Sequence, residues 1–244
     1  MTQLPWFIAP EGLSGTEVAL GTEESHHALK VMRVKPPDVI TITDGRGTVA
    51  RAAAARIEGD RLIAEILERD ERRPLKPQIV VYQGAAKGSK NDDVVERLAE
   101  IGVAETWMYA SARTVVRWDA ARLERVTARW RTLARSAAKQ SRNPFVMEVG
   151  GGLSWTELLR RVAKEPLTII LWEGASLPLR TALIGPADRV ALVIGPEGGL
   201  ERAEAEALAD AGGQLVSLGP RILRTENAAL VATAALQYHF GLIG

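Results

Sequence analysis

The chain contains no cysteine. Disulfides, thiolate metal sites and a cysteine nucleophile are therefore excluded. Only three histidines occur, and two of them, His26 and His27, are adjacent, with no carboxylate or third ligand at useful spacing. A histidine-based metal site lacks its ligands, so no metal is expected, and a Ser-His-Asp arrangement lacks its parts. No acidic pair marks acid–base hydrolysis. No apolar run approaches the ~20 residues of a membrane span. Pro5 and Pro10 interrupt a short N-terminal apolar stretch that has no basic leader. That stretch does not resemble a signal peptide, and the expected location is cytoplasmic. Neither a Gly-Lys-Ser/Thr phosphate loop nor a Gly-x-Gly-x-x-Gly turn is present, so any nucleotide-like ligand is one not held by its phosphates.

What is present is the composition of an ordinary globular protein, with 46% hydrophobic and 25% charged residues in 244. That length suits one large domain or two modest ones. The net charge of +1 conceals an uneven distribution. From Ser111 to Phe145 the chain carries nine basic residues against Asp119 and Glu124, a net +7 that leaves −6 for the remainder. Arg131, Arg135, Lys139 and Arg142 recur at helical spacing as one stripe, and Arg122, Arg125 and Arg129 as a second. Charged faces normally mix signs; here little local acid neutralises the stripe, and contact with a polyanion backbone is expected. Lys87-Gly-Ser-Lys90 adds a flexible basic loop, for which a plain surface turn is an equal reading.

The texture changes along the chain. Residues 1–72 read as short strands and turns: Val39–Thr43 is rich in β-branched residues, Asp44-Gly45 with Gly47 signals a hairpin, and Thr48–Ile57 returns before Arg61–Leu67. Small β-barrels have this pattern. Ser25–Val34 is the one helical segment expected there, with Ser25 as its cap. Glu68–Lys76 reads as a charged linker closed by Pro74 and Pro77. Residues 73–244 then alternate strands and helices. The strands are Ile79–Gln83, Trp107–Tyr109, Thr114–Val116, Thr168–Trp172, Val190–Ile194 and Gln214–Leu218. The helices are Asp92–Ile101, Arg122–Gln140, a segment opened by the Ser154/Glu157 capping box, Glu201–Ala211 and Asn227–Phe240. This alternation implies an α/β fold with a mostly parallel sheet.

Two loops carry the chemistry. Ile194-Gly195-Pro196-Glu197-Gly198-Gly199 follows one buried-strand pattern, and Leu218-Gly219-Pro220-Arg221-Ile222-Leu223-Arg224-Thr225-Glu226-Asn227-Ala228 follows another and enters the last helix. Loops outside the carboxyl ends of parallel strands are where open α/β sheets bind ligands, and glycine lets the backbone come close to one. Ile222 and Leu223 read either as a core plug under the last helix or as an apolar slot for a flat base. Thr225 is placed to cap that helix, and Arg224 and Glu226 to pair and hold the loop.

These stretches carry a resemblance. The two loops, His26–Asp38, Lys87–Val95 with Leu98–Val103, Arg129-Trp130 and Ala138–Arg142 together resemble the RsmE family, the 16S ribosomal RNA uracil-N3 methyltransferases of the SPOUT superfamily. The resemblance covers essentially the whole chain. It implies a SPOUT domain over 73–244 with a C-terminal trefoil knot, preceded by a PUA-like RNA-binding barrel over 1–72. It also implies bound S-adenosyl-L-methionine, a homodimer with the site near the interface, and 16S rRNA, in the assembled small subunit, as partner. The implied reaction is methylation of N3 of one uridine of the decoding region. The matching cofactor positions are Leu171, Glu173, Gly174, Ile194, Gly195, Pro196, Glu197, Gly198, Gly199, Leu218, Gly219, Ile222, Leu223, Arg224, Thr225, Asn227 and Ala228. Arg224 and Glu226 are the candidate catalytic pair, and Lys87, Lys90, Arg129, Arg131, Arg135, Lys139 and Arg142 the candidate RNA contacts. The chain departs from the family pattern at Pro5-Trp6-Phe7, at Pro37-Asp38 and at Asn227. A SPOUT methyltransferase for another rRNA or tRNA position, or a non-catalytic RNA-binding assembly protein, is the competing reading.

Overall fold

In the N-terminal third, alternation of small apolar and polar residues builds a mixed sheet. A computed structural model describes residues 4–183, 185 and 187–244. Its first unit comprises the chain up to Pro74 together with Ala138–Val146. Five strands, β1 (Trp6–Ile8), β2 (Glu17–Ala19), β3 (Val39–Thr43), β4 (Thr48–Glu58) and β5 (Arg61–Glu71), lie in the order β1-β3-β4-β5-β2. Only β1 and β3 are parallel. Ala50, Ala52 and Ala54 of β4 point to a core with Phe7, Leu20, Ile40, Ile42 and Leu62, as a period of two requires.

Three expectations fail here. The helix starts earlier, as α1 (Thr22–His26), and continues as a π-helical turn over His27–Val31. Ser25 does not cap it. Ser25 is fully buried, its hydroxyl donating to Leu20 O at 3.0 Å and accepting from Leu62 N at 3.0 Å, so it pins α1 to the sheet. Strand β5 runs on to Glu71 and takes half of the expected linker. Ala138–Val146 belongs with this unit because the hairpin turn binds it: Gly47 N donates to Pro144 O and Val146 N to Gly45 O, at 3.1 and 2.9 Å.

The second unit holds Leu75–Ala137 and Met147–Gly244. Its six strands are β6 (Gln78–Gly84), β7 (Glu105–Tyr109), β8 (Glu148–Leu153), β9 (Thr168–Leu171), β10 (Arg189–Ile194) and β11 (Gln214–Val216). They lie in the order β11-β9-β10-β6-β7-β8, and every neighbouring pair is parallel. Helices α2 (Lys90–Glu100), α3 (Ala120–Ser141), α4 (Trp155–Val162), α5 (Leu179–Ala182), α6 (Arg202–Asp210) and α7 (Thr225–His239) connect or follow them. Helix α4 opens with the expected capping box. Val80, Tyr82, Ala191 and Val193 pack with Leu158, Val162 and Leu208 on one face; α7, backed by α2, packs on β6 and β10. From β6 the chain moves to β7 on one side, while β10 lies on the other, and the carboxyl ends of such parallel strands are where open α/β sheets bind ligands.

Thr114–Val116 is no strand; Ser111 N donates to Thr114 Oγ1 at 2.8 Å and the segment turns there. Conversely β8 forms from a run of glycines. A Cβ on Gly150 would enter the Trp107 ring, and one on Gly151 would lie 2.8 Å from the Trp130 ring. The strand is glycine-rich because indoles cover it.

Candidate active site

At the carboxyl ends of β9, β10 and β11 three loops enclose a cleft of about 1240 Å³. Leu171, Ile194, Leu200, Val216, Leu218 and Leu223 supply its apolar wall. The expected cofactor positions all line it except Gly174 and Asn227. Gly174 lies against the Trp172 indole, where a Cβ would enter the ring. Asn227 is exposed and turned toward Arg97, whose guanidinium donates to Oδ1 at 3.5 Å. Ile222 does not plug the core: it is 91% exposed at the cleft's rim. Trp172, Pro220 and Arg221, which fall within the expected loops without being named as cofactor positions, also line the cleft, as do Leu200, Val216 and Ser217 beside those loops.

The glycine loop is shaped by close approach. Gly199 N donates to Pro196 O at 2.9 Å, and Gly199 takes φ +70, a left-handed conformation that glycine adopts without penalty. Gly84, at the end of β6, lies so close that a Cβ there would fall on the Pro196 nitrogen. Arg113 clamps the loop's outer side, donating to Gly198 O at 2.9 Å.

Charge in the cleft is partly spent. Glu197 meets Lys90 Nζ at 2.7 Å and accepts from Lys87 N at 3.3 Å. Burial alone would raise the Glu197 pKa, but those bonds and the lysine charges outweigh it and hold the carboxyl below its usual range. Lys90 is thus engaged by the glycine loop rather than open. The expected Arg224–Glu226 pair is absent among the described residues. Arg224 is exposed at the N-cap of α7; among the described residues its guanidinium has no partner, and Glu226 Oε2 is buried with no hydrogen-bond partner. Thr225 does not cap α7 either. It is the first helical residue, and its hydroxyl reaches down to Gly195 O at 2.6 Å. Among the described residues no cluster of three His, Asp or Glu could hold a metal.

The basic stripe is divided. Arg131 and Arg135 are exposed and make no ion pair among the described residues. Arg129 pairs with Asp92 at 2.7 Å, and Lys139 with Glu24 at 2.8 Å. Arg142 is exposed, in the left-handed region at φ +56. Local counting missed these acids because they are distant in sequence. His27 packs edge-on against Phe7, ring centroids 6.1 Å apart, and His26 is exposed.

Known proteins are similar to this chain in sequence and fold. The pattern of an RNA methyltransferase domain matches residues 73–237, and that of an RNA methyltransferase PUA domain residues 20–67. The ribosomal RNA small subunit methyltransferase E of Mycobacterium tuberculosis is 34% identical over 227 residues, 91% of this chain and 87% of that protein. The same enzyme of Bacillus subtilis is 32% identical over 232 residues, 91% and 90% of the two chains. The crystal structure of the Neisseria gonorrhoeae ribosomal RNA small subunit methyltransferase E, bound to S-adenosylmethionine, superposes with a TM-score of 0.86 at 32% identity, over 97% of this chain and 98% of that one. A Legionella pneumophila methyltransferase in complex with the same cofactor gives 0.88 at 28% identity over 98% of each. No helix of the described residues is long and apolar enough to cross a membrane. With its α/β domain of parallel strands, its cleft at their carboxyl ends and these relatives along nearly its whole length, the chain belongs to the ribosomal RNA small subunit methyltransferase E family.

Proposed function

We propose that the protein methylates N3 of a specific uridine in the 16S rRNA decoding region, using S-adenosylmethionine held in the cleft between the 194–200 and 216–226 loops. The observation that carries this reading is the cleft itself: an apolar wall, a glycine backbone open to close approach, and a buried carboxylate oxygen on Glu226 without a partner. Those features fit the cofactor. Its adenosyl group needs an apolar slot and backbone partners, and its sulfonium favours a carboxylate such as Glu173. Lys90, which lines the cleft, is already neutralised by Glu197. Leu171, Glu173, Ile194–Gly199, Leu218, Gly219, Ile222, Leu223 and Ala228 would hold it. When bound, it supplies an electrophilic methyl group.

The chain's own residues do the rest. The uracil N3 proton must leave, and Glu226 Oε2, buried and unbonded, is the acceptor. The negative charge that develops on the uracil oxygens is stabilised by Arg224, whose guanidinium is exposed beside the cleft and cannot itself act as a base. Holding both reactants in line contributes up to ~7–11 kcal/mol in well-oriented cases. N3 lies on the Watson–Crick edge, so the uridine is unpaired or flipped out, and recognition rests on RNA shape and phosphates. Arg131 and Arg135 supply phosphate contacts, and the first unit acts as the PUA-like RNA-binding barrel. The loops around 171–174, 194–200 and 216–226 form the trefoil knot. Two copies pair through α7, on which Val231 and Tyr238 are exposed. The protein works in the cytoplasm on the assembled small subunit. Titration calorimetry with S-adenosylmethionine tests the cofactor: micromolar binding supports the reading, and no heat contradicts it. Transfer of labelled methyl to small subunits, but not to transfer RNA, tests the substrate.

A further inference from the structure

Below the cleft, buried side chains tie its loops together. Gln83, on β6, is fully buried. Its Nε2 donates to Thr225 Oγ1 at 2.7 Å and to Gly84 O at 3.0 Å. Thr225 Oγ1 donates in turn to Gly195 O at 2.6 Å. A threonine hydroxyl has one proton to give, and a carbonyl can only accept. The proton therefore lies toward Gly195, and Oγ1 accepts from Gln83. Both partners of Nε2 are acceptors, which fixes the amide's orientation. The consequence is that Gln83 Oε1 is buried with no hydrogen-bond partner. A lone buried carbonyl is costly, so this glutamine is held in place for what its NH₂ does.

Tyr109, on β7, completes the set. It is fully buried, and its hydroxyl donates to Ile194 O at 3.0 Å. The peptide between Ile194 and Gly195 is trans; in a planar trans peptide the N–H points opposite to the C=O. Anchoring Ile194 O thus turns the Gly195 N–H away from Tyr109. Two consecutive carbonyls of the glycine loop are held from below, one by Tyr109 and one by Thr225.

We infer that Gln83 and Tyr109 are positioning residues for methyl transfer. Neither lines the cleft. Gln83 acts through Thr225, which fixes the start of α7, and with it Arg224 and Glu226, against the Gly195 backbone. Tyr109 orients the peptide that precedes it. The inference rests on the methyl-transfer reading, since it assigns these bonds to cofactor affinity and turnover rather than to folding alone.

The test compares Thr225→Val, Thr225→Ser, Gln83→Leu and Tyr109→Phe. Three quantities are measured on each: the S-adenosylmethionine dissociation constant, turnover at saturating cofactor, and the melting temperature without ligand. Thr225→Val is nearly isosteric and removes the bridge. It and Gln83→Leu are expected to weaken cofactor binding or slow turnover about tenfold, the factor that goes with one lost hydrogen bond. Thr225→Ser, which keeps the hydroxyl, recovers most of that loss, and Tyr109→Phe weakens cofactor binding severalfold. Unchanged affinity and turnover well below the melting temperature overturn the inference, even if the melting temperature falls. So does a serine variant as impaired as the valine one. Should Thr225→Val fail to fold, Gln83→Leu and Tyr109→Phe decide by the same criteria. A wild-type protein that binds no cofactor refutes the methyl-transfer reading instead.

Discussion

Gly84→Ala adds one methyl group at the point where β6 meets the glycine loop. A Cβ there would fall on the Pro196 nitrogen, 2.6 Å from Pro196 Cδ and 2.7 Å from the Gly195 carbonyl carbon. Ordinary contact is 3.4 Å or more, so these atoms must retreat by most of an ångström or beyond. They are backbone and ring atoms, not the tip of a flexible side chain. Overpacking by a methyl costs about 1–3 kcal/mol, and the rigid neighbours place this site in the upper half of that range. The route of relief is to push Gly195–Pro196 outward, which stretches the Thr225 bond to Gly195 O, a further ~1 kcal/mol. At about 2–4 °C per kcal/mol for a chain of this size, the melting temperature should fall by roughly 6–16 °C. Cofactor affinity, measured by titration calorimetry on the same preparation, should fall at least tenfold, because the displaced residues line the cleft. Gly21→Ala is the control: a Cβ there meets nothing within 4 Å. A Gly84→Ala protein with wild-type melting temperature and affinity would refute the claim that close approach of this loop shapes the site.

Other outcomes follow from the same geometry. Charge reversal at Arg131 and Arg135 should weaken RNA binding and flatten its salt dependence, leaving cofactor affinity unchanged; filter binding across a salt series checks this, and an unaltered slope would leave the stripe merely solvated. Arg224→Ala and Glu226→Gln should each lower turnover by about 2–4 kcal/mol of barrier with little change in cofactor dissociation constant; a loss explained wholly by weaker cofactor binding would remove both from the chemistry. Arg189 bonds Glu165 and Glu105 at 2.8 Å each, and Arg189→Leu strands both carboxylates at a cost of about 2–3 kcal/mol, reduced for partial exposure. Burial would raise the Glu105 pKa, but its bonds to Arg189 and Trp107 outweigh that and hold it below 4.5. A depressed carboxyl pKa stabilises above the unfolded value, and the contribution is lost as pH falls through the folded one. Urea titrations should therefore find the wild-type advantage full at about pH 7 and shrinking below about pH 4.

Much of this architecture is legible in the residues. The 194–199 and 218–228 loops stand out because glycine and proline follow apolar runs, and their position at strand ends follows from the alternation of strand and helix. What was hidden depends on partners far along the chain. The glycines of β8 give no strand signal, because what favours them there is cover by Trp107 and Trp130 from other segments. Strands β1 and β2 are three residues long, too short for a period of two to declare itself. Ser25 resembles a helix cap locally, yet its bond is to Leu62. Arg129 and Lys139 look unneutralised until Asp92 and Glu24 arrive from other segments. Gln83 gives no signal at all, because its partner Thr225 lies 142 residues away.

The central claim is methylation at N3 of a 16S rRNA uridine, and nucleoside mass spectrometry of that RNA tests it most directly. Small subunits from a strain lacking this protein should contain no 3-methyluridine in their 16S rRNA. Incubation with the purified protein and S-adenosylmethionine should restore one such residue per molecule. Retention of 3-methyluridine in the deletion strain, or restoration of a different methylated nucleoside, would contradict the account.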